Sequence, residues 1–423
     1  PYFNHPDPTV KRKSGFLTPS YASSDNFGTS VNIPYYKILS VDKDITFNPR
    51  FYADKSFLLQ NEYRQALSNS KILSDFSFLV GDAGTKGHLF FNQEGIINKN
   101  TKFDLNIQNV EGDNFLKNHK LAKTSNLIKD ESLLLSNFDL NWNLSDANLT
   151  SSFKVYEDLT RNYHDRYQYI FPDFEYTKYL KIPDNYDGKF LFNSYGFNKN
   201  YDTNVHEAVI TNDFLFTSNE KIYNSGIISK FDLLLKNSNS YSNNSSNFDE
   251  NSDYNLYGTI KIDNSFPLQK ITKNYKDYLK PVLSLRYSPN NNSDLSSKDI
   301  LLDYDSAFNL NRIGSNNEVE GGESITLGLE YKKDRIYSNA NLIDFKIANV
   351  IKFDENSKLP SKSRLNQKRS DLFGNLNYNI NDNVKLGYKF SYDNNLEYSN
   401  LEALDLELSK SNFASTITYY TED

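Results

Sequence analysis

The chain has 423 residues, a net charge of −7 and no cysteine or methionine, which excludes disulfides, thiolate catalysis and sulfur-ligated metal sites. Its basic residues are dispersed within an acidic balance, which argues against a nucleic-acid partner. No run reaches the roughly 18 apolar residues of a membrane-crossing helix, while aromatics reach 15% and all hydrophobics only 38%, a composition that suits a wall apolar at every second position better than a packed soluble core.

In chain order, Lys11, Arg12 and Lys13 form the densest basic cluster of the first hundred residues. It reads either as a solvated flank at a membrane edge or as a guide for lipid phosphates at a barrel mouth. The first two strand-like stretches each carry a proline, Pro19 and Pro34. Proline has no N–H to give to a ladder, so the opening strands predict a weak seam; the competing reading is that both prolines mark strand ends. From Lys43 to Tyr52, Ile45, Phe47 and Phe51 alternate with Thr46, Asn48, Arg50 and Tyr52, the period of a strand with one apolar and one wet face.

Alternating runs of about ten residues follow, the length a tilted strand needs to cross a bilayer. Phe103, Leu105 and Ile107 belong to one, and Phe138, Leu140, Trp142 and Leu144 to the next. Ile325, Leu327, Leu329 and Tyr331 continue the pattern, as do Val384, Leu386, Tyr388, Phe390 and Tyr392. Roughly 21 such runs, without a helical period, predict an all-β chain: a large antiparallel transmembrane β-barrel. The apolar members should face lipid and neighbours such as Asp104, Asn106, Asp139, Asn141 and Lys385 the lumen.

Connections alternate between short and long, the long ones being Val110–Ser132, Asn237–Asp253, Ser288–Gly322 and Ile351–Arg369. If the chain enters from the periplasm, parity places these four outside. Asn264–Lys280 disobeys, reading as a long connection on the periplasmic side. Asn237–Asp253 is low-complexity and polar, and is expected to be a mobile loop.

The five histidines, His5, His88, His119, His164 and His206, show no metal-ligand spacing, and His164-Asp165 is an adjacent His–acid pair in a loop-like stretch. A hydrolase would need a serine, a histidine and an orienting third group. Asp303, Asp305, Glu318, Glu320 and Glu323 cluster near Asn311-Arg312 and Gly321-Gly322. The cluster reads as a calcium site of oxygen ligands or as a tightly turned polar loop folded against the lumen.

Several stretches resemble the lipopolysaccharide-assembly LptD family of Gram-negative outer membranes. They are RKSGFLTP (Arg12–Pro19), IPYY (Ile33–Tyr36), the spacing of Asp44, Thr46 and Pro49, KPVLSLRYSP (Lys280–Pro289), DYDSAFNLNRIG (Asp303–Gly314) and EGGESITLGLEY (Glu320–Tyr331). The resemblance implies that lipopolysaccharide passes from a periplasmic jellyroll, of which residues 1–14 are the exit, into a barrel over 15–423. The sugar head would cross the polar lumen, and acyl chains would leave sideways at a lateral gate at Pro19 and Pro34. The lumenal or loop polar cluster would be Asp303, Asp305, Asn311, Arg312 and Glu320. It further implies an LptE-like lipoprotein plug, a periplasmic Lpt bridge reached through the jellyroll, no cofactor, no metal and no catalytic residue. Family barrels have about 26 strands, so an odd count near 21 and the absence of a leading Met predict a fragment lacking both ends. The alternatives are another large outer-membrane barrel, porin or gated receptor, and a secreted glycan-binding β-sandwich.

Overall fold

The computed structural model describes residues 12–24, 27–81, 84–183, 186–248, 250–292, 294–314, 316–337 and 341–422. Lys11, His5 and most of the expected 1–14 linker lie outside them. Among the described residues there are twenty-five strand segments, all assigned to one sheet, and every helical piece is three or four residues long. Each ladder whose register is defined is antiparallel.

Four segments continue a strand after a break. Gly15–Phe16 pairs with Tyr35–Ile38 and Ser20–Ser24 with Gly28–Asn32, while both of those partners pair with Lys43–Tyr52. Val205–Ser218 and Lys221–Ile222 share the partner Ile228–Asn243. Asn251–Ser265 and Leu268–Ile271 share the partner Tyr275–Ser288. Joined across these breaks, the segments make twenty-one strands, the number the alternation predicts.

Two readings are corrected. Asn264–Lys280 is no long connection: Pro267 interrupts the ladder, Leu268–Ile271 resumes it, and the turn is residues 272–274. The polar run Asn237–Asp253 is mostly strand, with segments extending to Asn243 and restarting at Asn251. Its tip is tied down, Ser245 Oγ and Asn247 Nδ2 donating to Glu207 Oε1 at 2.7 and 2.9 Å. Ladder bonds need only backbone, so a sequence without apolar residues can still extend a hairpin that has been started.

The chain divides into two compact units, 1–177 with 194–210 and 240–253, and 178–193 with 211–239 and 254–423. In the first, Phe51, Phe78, Val80, Leu89, Ile107, Phe138 and Phe153 stand exposed. The opposite face of the same strands buries Gln60, Asp75, Ser77 and His88. In the second, Leu283, Leu285, Tyr287 and Leu327 are exposed while Ser284, Arg286, Ser288, Ser324 and Thr326 are buried. This inverts a soluble sheet, where the apolar face is the one withdrawn from water. Of the residues expected to face lipid, Phe103, Leu105, Phe138, Leu140, Leu327 and Leu386 all lie outside the buried cores, Phe138 and Leu327 being 36% and 48% exposed.

Long loops cover part of each polar face. Residues 111–132 carry the short helix Phe115–Asn118 and place Phe115, Leu116, Leu121 and Ile128 on Leu58, Leu79 and Phe90. In the second unit, residues 289–321 carry the helix Tyr304–Ala307, and Leu302, Tyr304, Ala307 and Ile313 pack with Ala348, Val350 and Phe373.

Candidate functional site

The opening strands carry a line of three prolines. Residues 17–19 stand opposite only 33 and 34, because the register steps between Phe16↔Tyr35 and Ser20↔Asn32. This is a bulge, and it ends at Pro19. Pro34 fills the gap between the two segments of the second strand, and its carbonyl accepts from Leu17 N at 2.9 Å. Pro49, inside the third strand, accepts from Ile33 N at 3.1 Å. A residue of an antiparallel strand points its N–H and C=O at the same neighbour. The donor that Pro34 lacks would therefore have met the first strand, and the one Pro49 lacks would have met the second. Pro49 thus removes a donor from the pairing of the second and third strands, as Pro34 does from that of the first and second. Phe16 and Tyr21 on the first strand are 76% and 81% exposed.

At the start of the third strand Asp44, its side chain 5% exposed, lies between two guanidinium groups: Arg12 Nη1 at 2.6 Å and Arg64 Nε at 2.8 Å. Tyr36 OH donates to the same carboxylate at 3.1 Å, and Arg12 Nη2 donates to Val41 O at 2.8 Å. Of the basic cluster, Arg12 is thus committed to the wall, Lys13 is exposed, and Lys11 lies outside the described residues.

Beneath residues 111–132 runs a buried polar chain. Thr124 Oγ1 donates to Gln60 Oε1 (2.7 Å), and Gln60 Nε2 to both oxygens of Asp75 (3.1 and 2.9 Å). His88 Nε2 meets Asp75 Oδ1 at 3.1 Å and His88 Nδ1 meets Ser77 Oγ at 2.6 Å. The set has the groups of a hydrolytic triad, which adjacency in sequence does not reveal. Ser77 and His88 are direct cross-strand partners, and Asp75 lies two residues along on the same face. Both ring nitrogens are occupied and the His88 side chain is fully buried. The arrangement ties loop to wall.

His119 completes this seat. Its Nδ1 is 2.7 Å from Tyr52 OH, its carbonyl accepts from Arg50 Nη1 at 2.5 Å, and the rings of Phe27 and Phe115 lie 4.6 and 4.9 Å away. Burial first, and Arg50 second, push its pKa down to about 4, so it is neutral at pH 7. Elsewhere His206 Nε2 meets Asn198 Oδ1 at 2.7 Å, and His164 is exposed with Thr203 donating to its carbonyl.

The acidic segment is held very differently. Arg312 makes a two-pronged pair with Glu320, Nε to Oε2 at 2.7 Å and Nη2 to Oε1 at 2.8 Å, and both side chains are essentially inaccessible. Lys352 Nζ lies 3.6 Å from Glu320 Oε1, and Arg286 donates to the carbonyls of Leu310 and Glu320. Burial alone would raise the Glu320 pKa, but Arg312 and Arg286 outweigh it and hold the carboxyl down at about 2. Asn311 Nδ2 donates to Glu318 O at 2.8 Å and its Oδ1 accepts from Glu320 N at 3.3 Å, closing the turn.

Asp303 caps Tyr304–Ala307 in a reciprocal box with Ser306 and reaches Lys389 Nζ at 3.1 Å; Asp305 lies 3.6 Å from Lys346 Nζ. Gly321 must be glycine, since a Cβ would stand 2.0 Å from Asn290 O. Asp303, Asp305 and Glu320 are therefore dispersed onto separate cations and a helix cap, and no metal-holding group of three is present among the described residues.

A family model described as LptD, LPS transport system D, matches residues 84–422. The LPS-assembly protein LptD of Pseudoalteromonas translucida (strain TAC 125) is 33% identical over 121 residues, covering 27% of this chain and 16% of that protein. That of Shewanella frigidimarina (strain NCIMB 400) is 25% identical over 188 residues, 40% of this chain and 24% of that protein. The matched stretches thus span less than a quarter of these relatives' lengths. The alcaligin outer-membrane receptor FauA of Bordetella pertussis aligns over 97% of this chain and 74% of its own, at 8% identity and a TM-score of 0.26. The unliganded ferric citrate transporter FecA covers 94% and 71%, at 8% identity and 0.24. Both likenesses are too slight to add to the fold read from the ladders.

Proposed function

The chain belongs to the LptD family, LPS transport system D, and from that premise we propose that it is the barrel portion of a lipopolysaccharide translocon in the cell outer membrane. The observation that carries the reading is the inverted sheet, apolar outside and polar within, which suits a wall between lipid and a wet lumen. A secreted glycan-binding sandwich would bury the face that this sheet exposes. A porin or gated receptor shares the inversion but has no use for opening strands stripped of ladder bonds.

In this reading the sugar head crosses the polar face, and the acyl chains leave sideways where Pro19, Pro34 and Pro49 leave the first three strands under-bonded. No covalent bond is made or broken, so the protein is a transporter and the driving energy comes from the rest of the export machine. Lys13, rather than Arg12, offers a cation to lipid phosphates at the entry. An LptE-like lipoprotein fills the lumen, and the segment 1–14 leads from the periplasmic jellyroll and the Lpt bridge. The loop 289–321, locked by Arg312 and Glu320, is a fixed buttress against which the passage is built.

Two experiments test this. Arg at Leu105 should destabilise the membrane-inserted protein by about 2–4 kcal/mol, and Arg at its lumenal neighbour Asn106 by about 1, through lost hydrogen bonds. Equal costs would argue against a membrane wall. Pro19→Val with Pro34→Val should restore strand pairing and slow the arrival of lipopolysaccharide at the cell surface. Unchanged export and an intact permeability barrier would remove these prolines from the mechanism.

A further inference from the structure

On the outward apolar face of the second unit, a cavity of about 340 Å³ opens where the strands Tyr275–Ser288, Gly322–Arg335, Asn341–Lys352 and Arg369–Asn381 reach their short turns. It exists because the ladder slips. Lys333 pairs with Ile343 but Asp334 with Asn341, so Leu342 is an extra residue, bulged out of register. Leu342, Ile343 and Leu376 line it with apolar surface, and Tyr275, Tyr378 and Lys333 complete the lining.

The face is fixed by register. Asp277 stands opposite Lys333, Lys333 opposite Ile343, and Ile343 opposite Tyr378. Asp277 is also two residues from Leu279, which is 36% exposed on the same side. Short turns lie on the periplasmic side of bacterial barrels, so the cavity sits at the level of that leaflet's head groups.

The charges around it form a pattern. Lys333 Nζ lies 4.6 Å from the Tyr275 ring centroid and 3.6 Å from Asp277 Oδ1. Asp277 Oδ1 also accepts from Tyr331 OH at 2.7 Å, which fixes the carboxylate in place. Arg335, two residues beyond Lys333 on the same face, is anchored by donation from Nη2 to Ile380 O at 3.0 Å. Two cations and one carboxylate, with a phenol ring between, complement a zwitterion better than a simple anion. The volume is at the small end for a ligand site, large enough for a head group with its glycerol and too small for whole acyl chains.

We propose that this cavity is a binding site for a zwitterionic phospholipid of the periplasmic leaflet, with a primary-ammonium head group. Its phosphate meets Lys333 and Arg335, its ammonium donates to Asp277, and its acyl chains run out over Leu376 and Ile343 along the apolar face. The three N–H donors of a primary ammonium suit the fixed carboxylate, whereas a quaternary ammonium has none to offer. The proposal rests on the outward face being the membrane face. It adds a resident lipid on the side of the wall away from the transported one.

The test uses the full-length protein, purified from membranes and reconstituted in nanodiscs of equal phosphatidylethanolamine and phosphatidylcholine. Lipids retained after release are counted by native mass spectrometry. The wild type should retain phosphatidylethanolamine preferentially. Lys333→Glu and, separately, the cavity-filling Leu376→Trp should each cut that preference roughly fivefold, the scale of one interfacial charge, while Leu404→Trp elsewhere on the apolar face should leave it intact. No head-group preference, or a preference that survives both variants, overturns the site while leaving the barrel in place. A wild-type protein that stays in solution without detergent or bilayer overturns the barrel reading and the site together.

Discussion

The two loops folded onto the polar face, 111–132 in the first unit and 289–321 in the second, are both seated on apolar clusters but differ in the polar groups buried with them. The first is seated by apolar burial: Leu116 and Leu121 are fully inaccessible and Phe115 nearly so, with the neutral His119 bonded to Tyr52 beside them. The second packs Leu302, Tyr304, Ala307 and Ile313 on the wall as well, but adds charge, with Glu320 facing Arg312 and Lys352 in a space closed to water. Apolar seats weaken in proportion to the surface removed. A buried ion pair fails abruptly, because losing one partner strands the other charge in a medium that cannot solvate it. One loop is thus tunable and the other close to all-or-none.

The largest expected effect breaks the ionic seat. Arg312→Met leaves Glu320 buried with Arg286 and Lys352 as its remaining close cations and without its two-pronged partner, and should cost about 4 kcal/mol. Proteolysis within 289–321 and a lowered denaturant midpoint would report it. Adding Glu320→Leu to that variant should recover most of the loss, and failure to do so would mean that packing, not charge, holds this loop.

Next in size is Leu121→Ala in the apolar seat, at about 3 kcal/mol. Protease access should rise in 111–132 and stay unchanged in 289–321.

The smallest effect separates the loops by pH. His119 has its pKa depressed to about 4 from 6.5, so the folded seat binds protons less readily than the open one. Its stability is complete above pH 6.5, falls as the pH drops, and stops falling below about 4. At pH 5 the loss should be about 2 kcal/mol, and His119→Gln should abolish it. Glu320 is the opposite kind of group, with a depressed carboxyl pKa. Its contribution is present above 4.5 and is lost only as pH falls through about 2. Hydrogen exchange at pH 7 and pH 5 should therefore loosen 111–132 alone. Loosening of both loops together would contradict the assignment of different chemistries.

Much of the wall was legible in the sequence because a strand's side chains alternate strictly. Phe138 and Leu140 declare one face and Asp139 and Asn141 the other, whatever the partner strand. The breaks at Pro19 and Pro34 were legible for the same local reason, since a missing N–H is a property of the residue. Asn264–Lys280 misled: a proline such as Pro267 interrupts a ladder as readily as it marks a loop, and only the shared partner Tyr275–Ser288 distinguishes them. The run Asn237–Asp253 misled because composition measures what side chains can bury and is silent about backbone bonds. His88 looked solitary, since Ser77 is eleven residues away in sequence and becomes its neighbour through register.

By itself, then, the sequence determined the periodicity, the two-faced character of nearly every strand, the missing ladder donors of the opening strands and the positions of three of the four long connections. Tertiary structure decided what the loops do with the polar face. The approach of Arg286 and Lys352 to Glu320 and the seating of His119 against Tyr52 join residues whose closeness depends on where a loop lands, not on any local preference. The physical reason is one of range. Period, missing donors and chain reversal are fixed by bonds within a few residues, whereas burial, register and pKa are fixed by whichever distant groups the ladder brings within a few ångströms.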